Sequence, residues 1–303
     1  MDRAALTEEV LELGPASSIV GVLTRPPARG APPFTESGVA VIIPNAGIIH
    51  RSGPNRIHVR LARMLAAVGI PSLRLDLPGI GDSATLGGGM SMTEEKLAAM
   101  RFALDRLESM DVARRFIALG LCSGASSSFQ IACVDPRIKG VVLIDSPTVF
   151  PTWQHRILRT VMTVSRPVVW WRLMTGHYRR AQREQRGMAG RSWAEDDATP
   201  QPGAREIATR ALTILVQRDV RLLVIFTDHR NGNYSYRRQF FDAFPGLGLE
   251  RTTRVVRFAG ADHTFGKEKD RLRLEHEILD WFATSGLRVN GRRAATEPAA
   301  STH

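Results

Sequence analysis

Apolar residues in this chain gather in short, β-branched runs separated by stretches of helical periodicity. The runs are "SSIVGVLTR" (17–25), "GVAVIIP" (38–44), "PSLRLD" (71–76), "RFIALG" (115–120), "KGVVLID" (139–145), "VRLLVIF" (220–226) and "TTRVVRF" (252–258). Between them "NRIHVRLARMLAAVG" carries apolar residues at helical spacing up to Gly69, and "KEKDRLRLEHEILDWFATSG" does the same up to Gly286. In "SMTEEKLAAMRFALDRLESM", a weak Thr93-to-Lys96 capping pattern encloses Glu94 and Glu95, which suit a first helical turn. Strand runs alternating with helices predict an α/β fold with a mostly parallel sheet and crossover helices. Upstream, "EEVLELG" can add an antiparallel edge.

One interval breaks the alternation. From Ser146 to Asp219 the chain is far longer than one crossover requires, and its middle, "GRSWAEDDATPQPG", is rich in Pro, Gly and acid. Long stretches of this kind inside a compact domain usually serve function. The expectation is a core of residues 1–146 and 220–286, a helical cap at 147–219, and a disordered tail at 287–303.

Composition narrows the function classes. The chain has 303 residues, 43% hydrophobic and 23% charged, with a net charge of +11. The charge comes almost wholly from arginine, since Lys96, Lys139, Lys267 and Lys269 are the only lysines. These arginines are scattered and lack interleaved aromatics, so nucleic-acid binding is not expected and the charge speaks to solubility and encounter. Two cysteines, Cys122 and Cys133, make no disulfide framework. The start "MDRAALTEEVLELG" has no signal core, and no run reaches the roughly 18 apolar residues of a membrane span. A cytoplasmic protein is expected.

The chemistry centres on "GLCSGA" (120–125), directly after a strand and before a helical pattern. A sharp strand-to-helix turn needs small residues two before and two after its apex, which are Gly120 and Gly124 around Cys122. The helix start that follows favours an anion and lowers a thiol pKa. Ser123 and Ser126 are rival nucleophiles, but the apex is Cys122; the bland alternative is an inert, buried cysteine. A nucleophile needs a base and the base an orienting acid. His263 in "GADHTF" (260–265) follows the last strand, and Asp228 in "VIFTDHRNGN" follows the strand before it. His229, Asp242 and Asp262 compete nearby, and Asp145, ending the strand before the long insertion, is a further rival that sits one strand too early.

"PNAGIIHRSGPNRIHVRLARMLAAVGIPSLRLDLPGIGDS" (44–83), the elbow and "GADHTF" together resemble the α/β-hydrolases from first strand to last helix. Within them the likeness is to the serine-aminopeptidase-like branch, including the exosortase A system-associated hydrolases, here with a cysteine nucleophile. The resemblance implies an oxyanion hole from the backbone N–H groups of Ser123 and of Ala46 or Gly47. It implies no cofactor and no metal. His50 and Arg51 follow in the same loop as candidate substrate contacts, and Arg56 as either a contact or a partner of Asp76 or Asp82. Trp153, Trp170 and Trp171 of the expected cap lie in a stretch that reads first as an amphipathic helix packing on the helices of the sheet, with a subset suited to face an apolar acyl chain.

A thiol at the apex favours a thioesterase or acyltransferase working through an acyl-Cys intermediate. A carboxylic ester or lactone hydrolase with a Cys-His-Asp triad, as in the dienelactone hydrolases that share a cysteine elbow, is the alternative. An inactive ligand-binding relative is the reading from another class. The expected partner is a small acyl substrate, free or borne by CoA or a carrier protein, and homo-oligomerisation is left open. Epoxide hydrolase and dehalogenase chemistry is disfavoured, because it needs a carboxylate at position 122.

Overall fold

The computed structural model of the chain describes residues 6–27, 38–146, 203–227 and 236–287, with Thr152, Gln154, Ile157 and Tyr234 between them. Eight strands form one sheet: β1 (Thr7–Leu13), β2 (Ile19–Arg25), β3 (Val39–Pro44), β4 (Ser72–Leu75), β5 (Arg115–Leu121), β6 (Ile138–Ile144), β7 (Arg221–Thr227) and β8 (Thr253–Phe258). Their order is β1-β2-β4-β3-β5-β6-β7-β8. β1 and β2 run antiparallel to each other, and β2 runs antiparallel to β4. From β4 to β8 every neighbouring pair is parallel. All seven expected strands are present within two residues of their predicted ends, and "EEVLELG" is the antiparallel edge β1.

The inner strands are apolar on both faces because both faces are covered. In β3, Ala40 and Ile42 enter one core while Val39, Val41 and Ile43 enter the other. β5 repeats the alternation, with Phe116 and Ala118 on one side and Ile117, Leu119 and Leu121 on the other. One face is covered by α1 (Ile57–Ala67) and a last helix, Glu268–Thr284. The other carries α2 (Met92–Ser109), α3 (Ser123–Val134) and α4 (Ala204–Gln217). A short α5 (Gln239–Ala243) precedes β8, so the last helix is α6.

Two expectations need correction. α2 begins at a Ser91 cap rather than at Thr93: Ser91 Oγ accepts the Glu94 N–H at 3.3 Å, and Glu94 Oε2 accepts the Ser91 N–H at 2.8 Å. This reciprocal pair meets two helix-end donors at once. The expected cap was too long at its C-terminal end. Residues 204–217 form the crossover helix α4, whose Ala208, Leu212 and Leu215 fall on one face and pack into the core beside α3. Arg218 Nη1 then donates to Ala132 O at 2.7 Å and Nη2 to Asp135 O at 2.7 Å, fastening the end of α4 to the end of α3. The rest of the expected cap lies outside the described residues, apart from Thr152, Gln154 and Ile157.

Candidate active site

The C-terminal ends of β3, β5, β6 and β8 converge on Cys122. Cys122 stands between β5 and α3 with φ 57° and ψ −121°, a backbone conformation that an L-residue keeps only when its surroundings impose it. Its N–H donates to Ile144 O at 2.9 Å, and its carbonyl accepts the Ala125 N–H at 3.0 Å. The flanking glycines are sterically required. A Cβ on Gly120 would come within 2.1 Å of Gly124 O, and one on Gly124 within 2.7 Å of Asn45 O. Cys122 is therefore held at the apex of a strand–turn–helix elbow, half-buried, with Ser123 opening α3 beside it. Ser126 lies within α3.

His263 comes from the loop after β8. Its Nδ1 lies 2.7 Å from Oδ2 of Asp145, and the Cys122 thiol is a hydrogen-bond and charge partner of the same ring. Burial favours the neutral ring, but the Asp145 carboxylate and Cys122 outweigh it and raise the His263 pKa to about 9. The loop itself is pinned. Asp262 Oδ1 accepts Thr264 N–H at 2.9 Å and Thr264 Oγ1–H at 2.7 Å, and Oδ2 accepts Gly266 N–H at 3.0 Å. Asn55 Nδ2, from the loop after β3, donates to Thr264 O at 3.0 Å.

The carboxylate facing His263 is thus Asp145, which the order of residues had set aside as one strand too early. Asp228, the expected acid, lies outside the described residues. Asp145 is wholly buried. It follows β6 immediately, at φ 50°, and its own N–H donates to Ile225 O at 2.9 Å. Thr227 gives it two more bonds, from N–H to Oδ1 at 2.7 Å and from Oγ1–H to Oδ2 at 2.5 Å. Thr227 was not singled out from the sequence, where nothing marks the last residue of a strand as a carboxylate clamp.

Opposite the elbow runs the loop after β3. Asn45 is buried and braces it: Oδ1 accepts the Leu77 N–H at 3.0 Å and Nδ2 donates to Gly47 O at 2.7 Å. Gly47 N–H donates to Ser123 Oγ at 2.7 Å. Among the described residues the Ala46 N–H meets no acceptor. Ile48 and Ile49 stand at the loop's tip, 72% and 41% exposed.

Arg51, expected to touch substrate, instead belongs to the loop's foundation. It is buried, its N–H donates to Asp76 Oδ1 at 2.5 Å, and its guanidinium bonds Asp76 Oδ2 and, at 2.7 Å, Asp82 Oδ2. A guanidinium fills the role open to Arg56. His50 is exposed, with Nδ1 3.3 Å from Ser52 Oγ. Its ring, Asp76 and Asp82 present ligand atoms within 4.8 Å of one another, but the Arg51 guanidinium already bonds both carboxylates and occupies their inner oxygens, which disfavours a cation there. Trp153, Trp170 and Trp171 lie outside the described residues.

A profile of the Alpha/beta hydrolase family matches residues 48–271. The chain belongs to this family. Solved structures similar to this hydrolase include Est1E from Butyrivibrio proteoclasticus bound to ferulic acid, with TM-score 0.55, 14% identity, and coverage of 89% of this chain and 99% of that one. Dienelactone hydrolase from Anabaena variabilis gives TM-score 0.53, 14% identity, and coverage of 92% and 97%. At such identities the likeness speaks for the fold. Among curated proteins none matches this hydrolase. No helix among its described residues is long and apolar enough to cross a membrane.

Proposed function

We propose that this hydrolase transfers acyl groups through a covalent acyl-Cys122 intermediate, with His263 carrying the proton and Asp145 orienting His263. One observation carries the reading: a single imidazole joins the thiol at the elbow apex to a buried carboxylate. Asp145 takes the Nδ1–H, which leaves Nε2 for Cys122. With its pKa near 9, the ring is an imidazolium at neutral pH and pairs with a thiolate.

The thiolate attacks the substrate carbonyl carbon, forming a C–S bond while the carbonyl π pair moves onto oxygen. The oxyanion is received by the N–H of Ser123, at the positive end of α3, and by the N–H of Ala46 across the gap. Collapse breaks the bond to the leaving group, which takes the Nε2 proton of His263. Neutral His263 then removes a proton from water or another acceptor as it attacks the thioester. The second collapse expels the Cys122 thiolate, regenerates the imidazolium and releases the acyl product. No step needs a redox partner or a metal.

The thiol supports an acyl thioester as the preferred donor, delivered free, on CoA or on a carrier protein. A thioester-linked enzyme retains transfer potential, so amines or alcohols can compete with water. A second reading, hydrolysis of a carboxylic ester or lactone, is favoured by the likeness to Est1E and dienelactone hydrolase. The exposed Ile48 and Ile49 at the mouth suit an apolar acyl group under either reading.

The test is intact mass and peptide mapping after exposure to a matched thioester and alkyl ester of one acyl group, with turnover of Cys122→Ala measured alongside. The expected result is an acyl adduct on Cys122, faster from the thioester, and a Cys122→Ala variant that folds but is slowed by several orders of magnitude. Near-wild-type turnover in Cys122→Ala overturns covalent catalysis by sulfur. Faster acylation by the ester, with free acid as sole product, selects the second reading.

A further inference from the structure

We infer that the Ser123 hydroxyl is itself a donor of the oxyanion hole, polarised by the N–H of Gly47. The inference rests on Cys122 being the nucleophile and adds a side chain to the two backbone donors. For the oxyanion hole Ser123 was expected to contribute its backbone N–H, with that of Ala46 or, alternatively, Gly47 as the second donor. The structure pairs Gly47 with Ser123 instead: Gly47 N–H donates to Ser123 Oγ at 2.7 Å, across the gap between the β3 loop and the start of α3.

That gap is where a substrate oxygen must lodge, since its two walls carry the Ser123 and Ala46 N–H groups. An atom that bridges both walls is within reach of an oxygen bound between them. The chemistry of the hydroxyl then decides its direction. A serine oxygen has two lone pairs and one proton. Gly47 occupies one lone pair, and among the described residues no acceptor is placed for the Ser123 O–H. The proton is available for a developing negative charge. A donor whose oxygen already accepts a hydrogen bond is a better donor, because successive bonds polarise one another. The loop is rigid enough to hold the relay, since Asn45 Nδ2 fixes the Gly47 carbonyl at 2.7 Å and Asn45 itself is buried.

The arrangement predicts a separation between two reactions of Cys122. Attack on a carbonyl develops an oxyanion, whereas alkylation by iodoacetamide displaces iodide and develops none. Ser123→Ala removes the hydroxyl and keeps both the backbone N–H and Cys122; Ser123→Thr keeps a hydroxyl. The experiment measures kcat and KM for a chromogenic ester and the rate of iodoacetamide alkylation of Cys122, in the full-length protein and both variants. The expected result for Ser123→Ala is a kcat lower by roughly 10²-fold, an unchanged KM, and alkylation at the wild-type rate. Ser123→Thr is expected to recover most of the loss.

Equal or faster turnover in Ser123→Ala overturns the inference, for the hydroxyl would then only occlude Gly47. Parallel loss of turnover and alkylation also overturns it, since Ser123 would be supporting the elbow or the thiolate. Failure of the nucleophile assignment has a different signature: Cys122→Ala retains turnover, and the acyl group maps to another residue such as Ser123.

Discussion

Nδ1 of His263 lies 2.7 Å from Oδ2 of Asp145, a carboxylate with no exposure to solvent and with two further bonds from Thr227. Three donors hold one side chain at the end of β6, and that rigidity fixes which ring nitrogen faces the thiol. Asp145→Asn is expected to lower kcat by roughly 10²- to 10⁴-fold, because the amide no longer enforces the tautomer or stabilises the imidazolium. The amide must also turn an NH₂ toward at least one donor, which costs about 1–3 kcal/mol and is read as a lower Tm. Asp228→Asn, measured in the same assay, is expected to stay within a few-fold of wild type. A loss at Asp228 equal to that at Asp145 would move the orienting role to Asp228.

The raised His263 pKa sets the alkaline limb of activity. Leaving groups of high pKa need the Nε2 proton, and that proton is lost as pH rises through about 9. With an alkyl ester, kcat/KM is expected to hold through neutral pH and fall above about 9. An aryl ester with a good leaving group, which needs no protonation, should fall less steeply. Asp145→Asn should move the alkaline limb downward, since burial holds the ring neutral and the hydrogen bond and charge of the Asp145 carboxylate do most to raise its pKa against that burial. A limb that stays in place in the variant contradicts the ion-pair account.

Much of this fold was legible because parallel strands buried on both faces leave near-continuous apolar runs, as "VAVIIP" and "RLLVIF" do. The elbow was legible for a local reason: two glycines flank Cys122, and each is demanded by a backbone atom within 3 Å. The acid was not. Asp145 and Asp228 each follow a strand in the sequence, and it is the 2.7 Å approach of Asp145 Oδ2 to His263 Nδ1, with Thr227 clamping that carboxylate across the β6–β7 pair, that brings Asp145 to the histidine. Arg51 was misjudged for a similar reason. A loop arginine reads as exposed until Asp76, 25 residues away in the chain, is seen closing on both its backbone and its guanidinium. The boundary at 204 was missed because α4 has an apolar face that serves a cap or a crossover equally well in one dimension.

Arg51→Ala is expected to destabilise the protein by about 3–5 kcal/mol, the range seen when one partner of a buried ion pair is removed. Asp76 has no exposure and would lose its guanidinium partner, leaving around it the Arg51 and Asp82 N–H groups and His50 Nε2 at 3.7 Å. Because this pair anchors the loop that carries Ala46, kcat should fall along with Tm. Asp76→Asn in the Arg51→Ala background should recover part of the stability by removing the orphaned charge. Urea denaturation of the single and double variants reads both effects; no recovery would mean that the loop, rather than the charge, governs the loss.

Gly124→Ala places a methyl group within 2.7 Å of Asn45 O and 3.1 Å of Pro44 O, backbone atoms of the end of β3 and the loop that follows it. Neither can retreat without moving the loop away from the elbow. A folded variant is therefore expected to show a kcat reduced far more than its iodoacetamide reactivity, because the thiolate survives while the oxyanion donors separate. Equal loss of both would place the damage at the elbow itself.

His58, on α1 beneath the same loop, is buried, and burial pushes its pKa from 6.5 to about 4, with the Arg74 charge acting in the same direction. The neutral ring is the folded form. Below about pH 6.5 the unfolded chain takes up a proton at His58 that the folded protein refuses until about pH 4, so stability falls across that window as pH drops. At 1.36 kcal/mol per pKa unit the full effect is about 3 kcal/mol. His58→Leu keeps a similar volume against the tight backbone at Gly53 and removes the titration. Urea denaturation at about pH 7 and about pH 4.5 is expected to show a smaller acid-induced loss in the variant than in wild type, by about 2–3 kcal/mol. Carboxylates contribute to both proteins and drop out of the difference. An equal loss in the two would mean that His58 finds a way to protonate in the folded state, and the loop above it would then have to open to admit the charge.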